Sequence, residues 1–186
     1  MEVYLIRHTS PDIEKGICYG QSDLDLKATF DQEFQAVKEI IPHSFDAVYT
    51  SPLKRCAVMA QRLAPDIVRS DELKEIDFGD WEMKPWSEID ATKLGEWMAN
   101  FVTYRVPNGE SFEDLIARID RFWQHVLEEK ADRIAICTHA GPIRCLLGNI
   151  LGLTPENYFK LEQSYGGVSK ISLNGGHDKV DFINRV

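Results

Sequence analysis

The sequence predicts an α/β chain, a three-layer α/β/α sandwich around a mostly parallel central sheet. Two observations predict it. Short apolar runs of strand length alternate with amphipathic stretches of helical period, the pattern of successive βαβ units. Three of the strand-to-helix junctions carry His or Arg, at the end of the sheet where such folds bind ligands.

The elements follow in order. Val3-Tyr4-Leu5-Ile6 is a continuous apolar run, as expected of a strand buried on both faces. Residues 28–41 space Phe30, Phe34, Val37 and Ile41 as one helical face, and Pro42 stops that helix. Asp46-Ala47-Val48-Tyr49 reads as a second strand. Ser51 is the expected N-cap of a helix from about Pro52 to Leu63, with proline at its first position and Pro65 marking its end. Regularity is weaker from Ile67 to Val106, although 86–100 looks helical. Pro107-Asn108-Gly109 is a turn, and Ser111 with Asp114 resembles a capping box. Phe112, Leu115, Ile116, Ile119, Phe122, Trp123 and Val126 then form one helical face. Arg133–Cys137 is a strand, Gly141-Pro142 opens a helix, and Val168–Leu173 and Val180–Ile183 alternate as strands do.

With 186 residues, one domain spanning 1–186 is expected, with a lid-like segment at about 80–106. The 44% apolar and 27% charged content suits a globular protein. A net charge of −9 leaves no basic excess for nucleic acid, while a few arginines in a cleft can still attract a small anion. No apolar run approaches the roughly 18 residues of a membrane span. Glu2 and Arg7 break the N-terminal run too early for a signal peptide, so the expected location is cytoplasmic. Cys18, Cys56, Cys137 and Cys145 form no CxxC pair and read as reduced core thiols.

The three junctions are Arg7-His8-Thr9-Ser10, Thr50 to Arg55, and Thr138-His139-Ala140-Gly141. Two histidines, two arginines and two helix starts at one sheet edge suit a tetrahedral dianion. The guanidinium fork matches two phosphate oxygens, and helix N-termini add unpaired N–H groups. A neutral imidazole attacks phosphorus if one ring nitrogen is free and the other donates to a carbonyl. Neighbouring arginines disfavour imidazolium and so keep His8 nucleophilic. The leaving alkoxide needs a proton. Glu75 is the candidate donor, although Asp77, Asp80 and Glu82 are nearly equal to it on composition. His43, His125 and His177 read as structural, Arg62 as a surface residue, and Trp81, Trp86 and Trp97 as core and lid packing. No HxH or HExxH spacing suggests a metal site.

Five stretches in order carry a resemblance: LIRHTS, TSPLKRCAVMAQ, LKEIDFGDWE, PNGES and CTHAGPIR. Together the chain resembles the histidine phosphatase superfamily, the phosphoglycerate mutase-like group. That resemblance implies a phosphoglycerate mutase-like fold and a metal-independent phosphomonoesterase with no cofactor. It implies His8 as the phosphorylated nucleophile, Arg7, Arg55 and His139 as ligands of the phosphoryl oxygens, and Glu75 as proton donor, which selects Glu75 among the four acids. Thr9, Met83, Ala140 and the segment Leu26–Phe30 depart from the group's usual residues. The segment Cys18–Asp23 is most similar to bacterial α-ribazole phosphatases, which implies a small phosphorylated metabolite, α-ribazole 5′-phosphate of cobalamin assembly. Phosphoglycerate mutase-type transfer and broad sugar or nucleotide phosphatase activity are the alternatives. Ser10, Tyr19, Gln21 and Ser22 are candidate substrate contacts. The sequence gives no oligomeric state.

Overall fold

The computed structural model describes residues 1–176 and 178–186; His177, expected to be structural, lies outside the described residues. Six strands form one sheet: β1 (Glu2–Arg7), β2 (Ala47–Thr50), β3 (Val68–Arg69), β4 (Arg133–Thr138), β5 (Val168–Ser172) and β6 (Lys179–Arg185). Their order is β3-β2-β4-β1-β5-β6. The first four are parallel, while β5 pairs antiparallel with β1 and β6 antiparallel with β5, so the sheet is mixed with a parallel centre. The β5–β6 pairing carries register shifts around Lys170.

The described residues hold five α-helices, α1 (Phe30–Ile40), α2 (Lys54–Gln61), α3 (Ala91–Ala99), α4 (Phe112–Leu127) and α5 (Ala140–Ile150), and all but α3 pack against the sheet. The alternation of side chains along a strand explains the layers. Val3, Leu5, Tyr49, Ile134 and Ile136 pack on one face with α4 and α5. Tyr4, Ile6, Val48, Ala135 and Cys137 pack on the other with α1 and α2. The central strands are therefore apolar on both faces. A fully buried Leu or Ile adds about 1.5–3 kcal/mol, so this double burial fixes the strands' register firmly. A third, smaller cluster joins Cys18, Trp81, Ile89 and Val106 with Trp86 and Trp97.

Several boundaries depart from expectation. α2 begins at Lys54 with extended Leu53 as its N-cap, not at Pro52 with Ser51. The Ser51 hydroxyl lies 2.8 Å from a histidine ring nitrogen and only weakly accepts from Leu53 N–H, at 3.4 Å. The helix expected over 86–100 divides into a single turn at Trp86–Glu88 and α3. The cause is Asp90, whose carboxylate caps the N–H groups of Thr92 and Lys93 and starts a new helix. Strand β3 lies in a stretch that showed no strand pattern. The capping box of Ser111 and Asp114 is present as expected. All four cysteines are buried and unpaired. No helix among the described residues is long and apolar enough to cross a membrane.

Candidate active site

Parallel register brings the site together. Arg7 lies opposite Thr138, and Thr50 lies opposite Cys137. The next residue along each strand, His8, Ser51 or His139, therefore leaves the sheet at one edge. The N–H of His8 donates to the Thr138 carbonyl at 3.0 Å. His8 and His139 are both buried, with ring centroids 5.0 Å apart.

The His8 ring has one settled tautomer. Its Nδ1 lies 2.7 Å from the Thr9 carbonyl, which can only accept, so Nδ1 carries the hydrogen and Nε2 keeps a free lone pair. Burial, then the charges of Arg55 and Arg7, hold its pKa well below the usual 6.5. The bond to Thr9 opposes this without reversing it. His139 is held low by burial first and then by Arg55, His8 and Arg7. Its Nε2 shares a 2.8 Å hydrogen bond with the Ser51 hydroxyl and lies 3.4 Å from Cys56 Sγ.

Neither arginine pairs with a carboxylate among the described residues. Arg55, at the start of α2, is fully buried; Nη1 donates to Ser22 O at 2.8 Å and Nη2 to Gly20 O at 2.5 Å. Arg7 donates from Nη1 to Gln163 O at 2.6 Å and lies over the Tyr165 ring, 3.9 Å from its centroid. The Nε atom of each is buried without a partner. Cations held by neutral carbonyls in a desolvated place favour an incoming anion.

Glu75 sits beside this cluster. Its carboxylate accepts from Gly141 N–H at 3.1 Å, in the first turn of α5, and from its neighbour Ile76 at 3.0 Å. A Cβ at 141 would come within 2.1 Å of Glu75 Oε1 and displace that carboxylate, so glycine there lets Glu75 reach the helix start. Arg118 fixes the same segment by donating to the carbonyls of Glu72, Lys74 and Glu75 while pairing with Glu110.

A cavity of about 240 Å³ opens beside His8. Its polar wall is Arg7, His8, Tyr19, Glu75 and Arg144; Phe78, Trp86, Trp97, Phe101, Phe112 and Phe159 make most of the rest. Trp86 and Trp97 thus face the cavity as well as packing together, whereas Trp81 is buried as expected. Of the four acids considered, Glu75 alone lines the cavity. Asp77 accepts from Gly79 N–H, Asp80 from the Asn108 amide, and Glu82 from the Gly20–Ser22 loop.

Arg55 and His139 are gathered around His8 but do not form the cavity wall, and neither do Ser10, Gln21 and Ser22. The backbone N–H of Ser10 donates to Glu33, the Gln21 amide to Glu75 O, and the Ser22 hydroxyl to Glu82. Tyr19 does line the wall, and its hydroxyl shares a hydrogen bond with Tyr165.

Three further residues at the site carry no signal of their role in the sequence pattern. Arg144 lies in the last motif. Its Nε donates to Leu161 O at 3.0 Å and its guanidinium lies 5.0 Å from the Phe159 ring centroid. Burial lowers its pKa, opposed by the charge of Glu75. Tyr165 stacks on Arg7 from a stretch without motif. Glu82, in sequence no more than a rival to Glu75, binds the N–H groups of residues 20–22.

The family model for the histidine phosphatase superfamily (branch 1) matches residues 3–186. The adenosylcobalamin/alpha-ribazole phosphatase of Escherichia coli is 28% identical, covering 94% of this chain and 91% of that protein. The crystal structure of the alpha-ribazole phosphatase from Shigella flexneri superposes with a TM-score of 0.90 at 26% identity, over 100% of this chain and 96% of that one. A phosphoserine phosphatase from Entamoeba histolytica, solved with 3-phosphoglyceric acid, shares the fold at a TM-score of 0.84 and 23% identity, covering 100% of this chain and 97% of that one.

Proposed function

The chain belongs to the histidine phosphatase superfamily, and from that premise we propose that it hydrolyses a small phosphorylated metabolite through a phosphohistidine formed on His8. The observation that carries this reading is the His8 ring itself. Its Nδ1 hydrogen is committed to Thr9 O and its Nε2 is free, beside two arginines with no carboxylate partner.

The chemistry follows from those groups. The Nε2 lone pair of His8 forms a bond to phosphorus while the bond from phosphorus to the ester oxygen breaks. Arg7, Arg55 and His139 hold the non-bridging oxygens, where charge concentrates in a loose transition state. Glu75 gives its proton to the departing alkoxide. The resulting carboxylate takes a proton from water as that water attacks phosphorus. The bond from Nε2 to phosphorus breaks as the water oxygen bonds to phosphorus, its electron pair returns to the ring, phosphate leaves, and His8 is neutral again. No metal or redox cofactor enters this balance.

The finer reading is that the substrate is α-ribazole 5′-phosphate. Its support is the similarity to the two α-ribazole phosphatases and the aromatic wall, which suits an alcohol carrying a flat ring. In this reading Arg144 and Tyr19 contact the alcohol half, and the 80–106 segment, within a single domain, covers it from above with Trp86 and Trp97. Mutase-type return of the phosphoryl group to the substrate is the alternative, and isomer formation from phosphoglycerates without release of phosphate would favour it.

Incubation with 32P-labelled substrate tests the core of this. The expected result is a protein-bound label stable to alkali and lost in acid, absent from His8→Ala, with free phosphate as product. Full activity in His8→Ala would overturn the reading. Comparing α-ribazole 5′-phosphate with phosphoserine, phosphoglycerates, sugar phosphates and nucleotides tests the substrate.

A further inference from the structure

We propose that Glu82 is a positioning residue for Arg55 and acts through the backbone of residues 20–22. The inference rests on the reading of Arg55 as a phosphoryl ligand. Glu82 and Arg55 are not hydrogen-bonded to each other. They hold opposite sides of one short loop instead.

The Glu82 carboxylate accepts from the N–H groups of Gly20 at 3.0 Å, Gln21 at 2.9 Å and Ser22 at 3.1 Å. It also accepts from the Ser22 hydroxyl at 2.5 Å and from Phe78 N–H at 3.1 Å. Arg55 donates to the carbonyls of the same loop, Gly20 and Ser22. The peptide unit between Gly20 and Gln21 is therefore bonded at both ends, its oxygen to the guanidinium and its N–H to the carboxylate. Its dipole lies between an anion and a cation, and each charge polarises it in the sense the other needs. Glycine is required at 20, because a Cβ would fall 1.9 Å from Ile76 O and 2.9 Å from Glu82 Oε1. The loop cannot drift toward Ile76 without a clash.

Arg55 itself has no carboxylate among these contacts and an unpartnered Nε. Its terminal nitrogens are aimed only by the two loop carbonyls. If the loop relaxes, the guanidinium loses its aim while remaining charged. Misplacement of about an ångström at a phosphoryl clamp costs on the order of a hundredfold in rate.

A double-mutant cycle tests this, with orthovanadate as the probe of the phosphoryl site. In Glu82→Gln the carboxamide keeps the shape but loses the charge and half of the accepting capacity. The expected results are vanadate inhibition weakened by about tenfold or more, and kcat/KM lowered by a similar factor for p-nitrophenyl phosphate and for an alkyl phosphate alike. In an Arg55→Ala background the same change should cost less than about twofold, because coupled residues are non-additive. Glu82→Asp should recover part of the loss. Losses that multiply across the cycle, or unchanged vanadate affinity in Glu82→Gln, would overturn the proposal. Should Glu82→Gln not fold, Ser22→Ala removes one donor from the carboxylate and leaves the others. Its smaller loss, about threefold, should likewise vanish in the Arg55→Ala background, and its persistence there would overturn the proposal. A wild-type protein that neither hydrolyses phosphomonoesters nor binds vanadate would remove the functional reading and this inference together. An active wild type with multiplying losses would remove this inference alone.

Discussion

The rings of His8 and His139 meet edge to face, with centroids 5.0 Å apart and planes at 64°. Two imidazoles so close in a buried, arginine-flanked place cannot both hold protons cheaply. Both pKa values lie well below 6.5, through burial first and then through neighbouring charge.

The first prediction is a loss of stability on mild acidification. The unfolded chain takes up protons on these histidines near pH 6.5, whereas the folded chain resists doing so. Below that pH the unfolded state binds more protons, and stability falls by up to about 1.4 kcal/mol per pH unit for each histidine. The fall continues until the depressed folded values are reached. Carboxylates held low by hydrogen bonds, such as Asp114, lose their contribution only at lower pH. Urea denaturation at pH 7.5 and 5.5 should show the decline, and His8→Gln should remove about half of the slope. A flat wild-type profile over that range would contradict it.

The second prediction concerns Glu75→Gln. A glutamine keeps the hydrogen bond from Gly141 but cannot give up a proton. For an alkyl phosphate, kcat should fall by about 10²–10⁴. For p-nitrophenyl phosphate, whose leaving group needs little help, the loss should be much smaller. Equal losses on both esters would argue against a proton-donor role.

Arg144 yields a third. Its guanidinium lines the cavity and, among the described residues, is anchored through Nε alone. Arg144→Met should raise KM about tenfold or more for a substrate whose alcohol half offers an acceptor, since a hydrogen bond to a charged group contributes about 1.5–3 kcal/mol. Vanadate inhibition, which reports only the phosphoryl site, should be unchanged.

The fourth concerns Arg118, which is 9% exposed and holds three carbonyls and Glu110. Arg118→Met takes its donors from the Glu72 and Lys74 carbonyls and leaves Glu110 with the Asp77 N–H and the Glu75 carbonyl with the Gln21 amide. Removing one member of a buried pair costs about 3–5 kcal/mol; Glu110 is 21% exposed, so a loss at or below the lower end of that range is expected, readable in the urea midpoint. Because Glu75 rides on the same segment, kcat should fall as well, even where the protein remains folded.

The parts of the fold that depend on local pattern were legible in the sequence. Val3–Ile6 and Ile134–Cys137 are apolar on both faces, and that pattern belongs to central strands. Ser111 and Asp114 announce a helix start within four residues of chain. His8, Arg55, Glu75 and His139 could be gathered because each stands at or near an element boundary within a motif. What lay hidden depends on partners distant in the chain. Strand β3 is two residues long and exists by pairing with β2. Ser51 reads as a helix cap until His139, 88 residues on, occupies its hydroxyl. Tyr165 is an ordinary aromatic residue until Arg7 lies over it. The direction of β5 and β6 also left no mark, because period-two alternation is the same in parallel and antiparallel strands.

The sheet's two margins bear on how the protein behaves when concentrated. On one side β3 offers only Val68 and Arg69 to a newcomer. On the other, β6 alternates exposed and half-buried residues, displays Lys179, Asp181 and Arg185 outward, and bends at Asn184, where φ is 50°. Neither rim is a long, flat, apolar template. Fibril-like stacking of one molecule's rim on another's is thereby discouraged, by shortness on one flank and by charge and curvature on the opposite one.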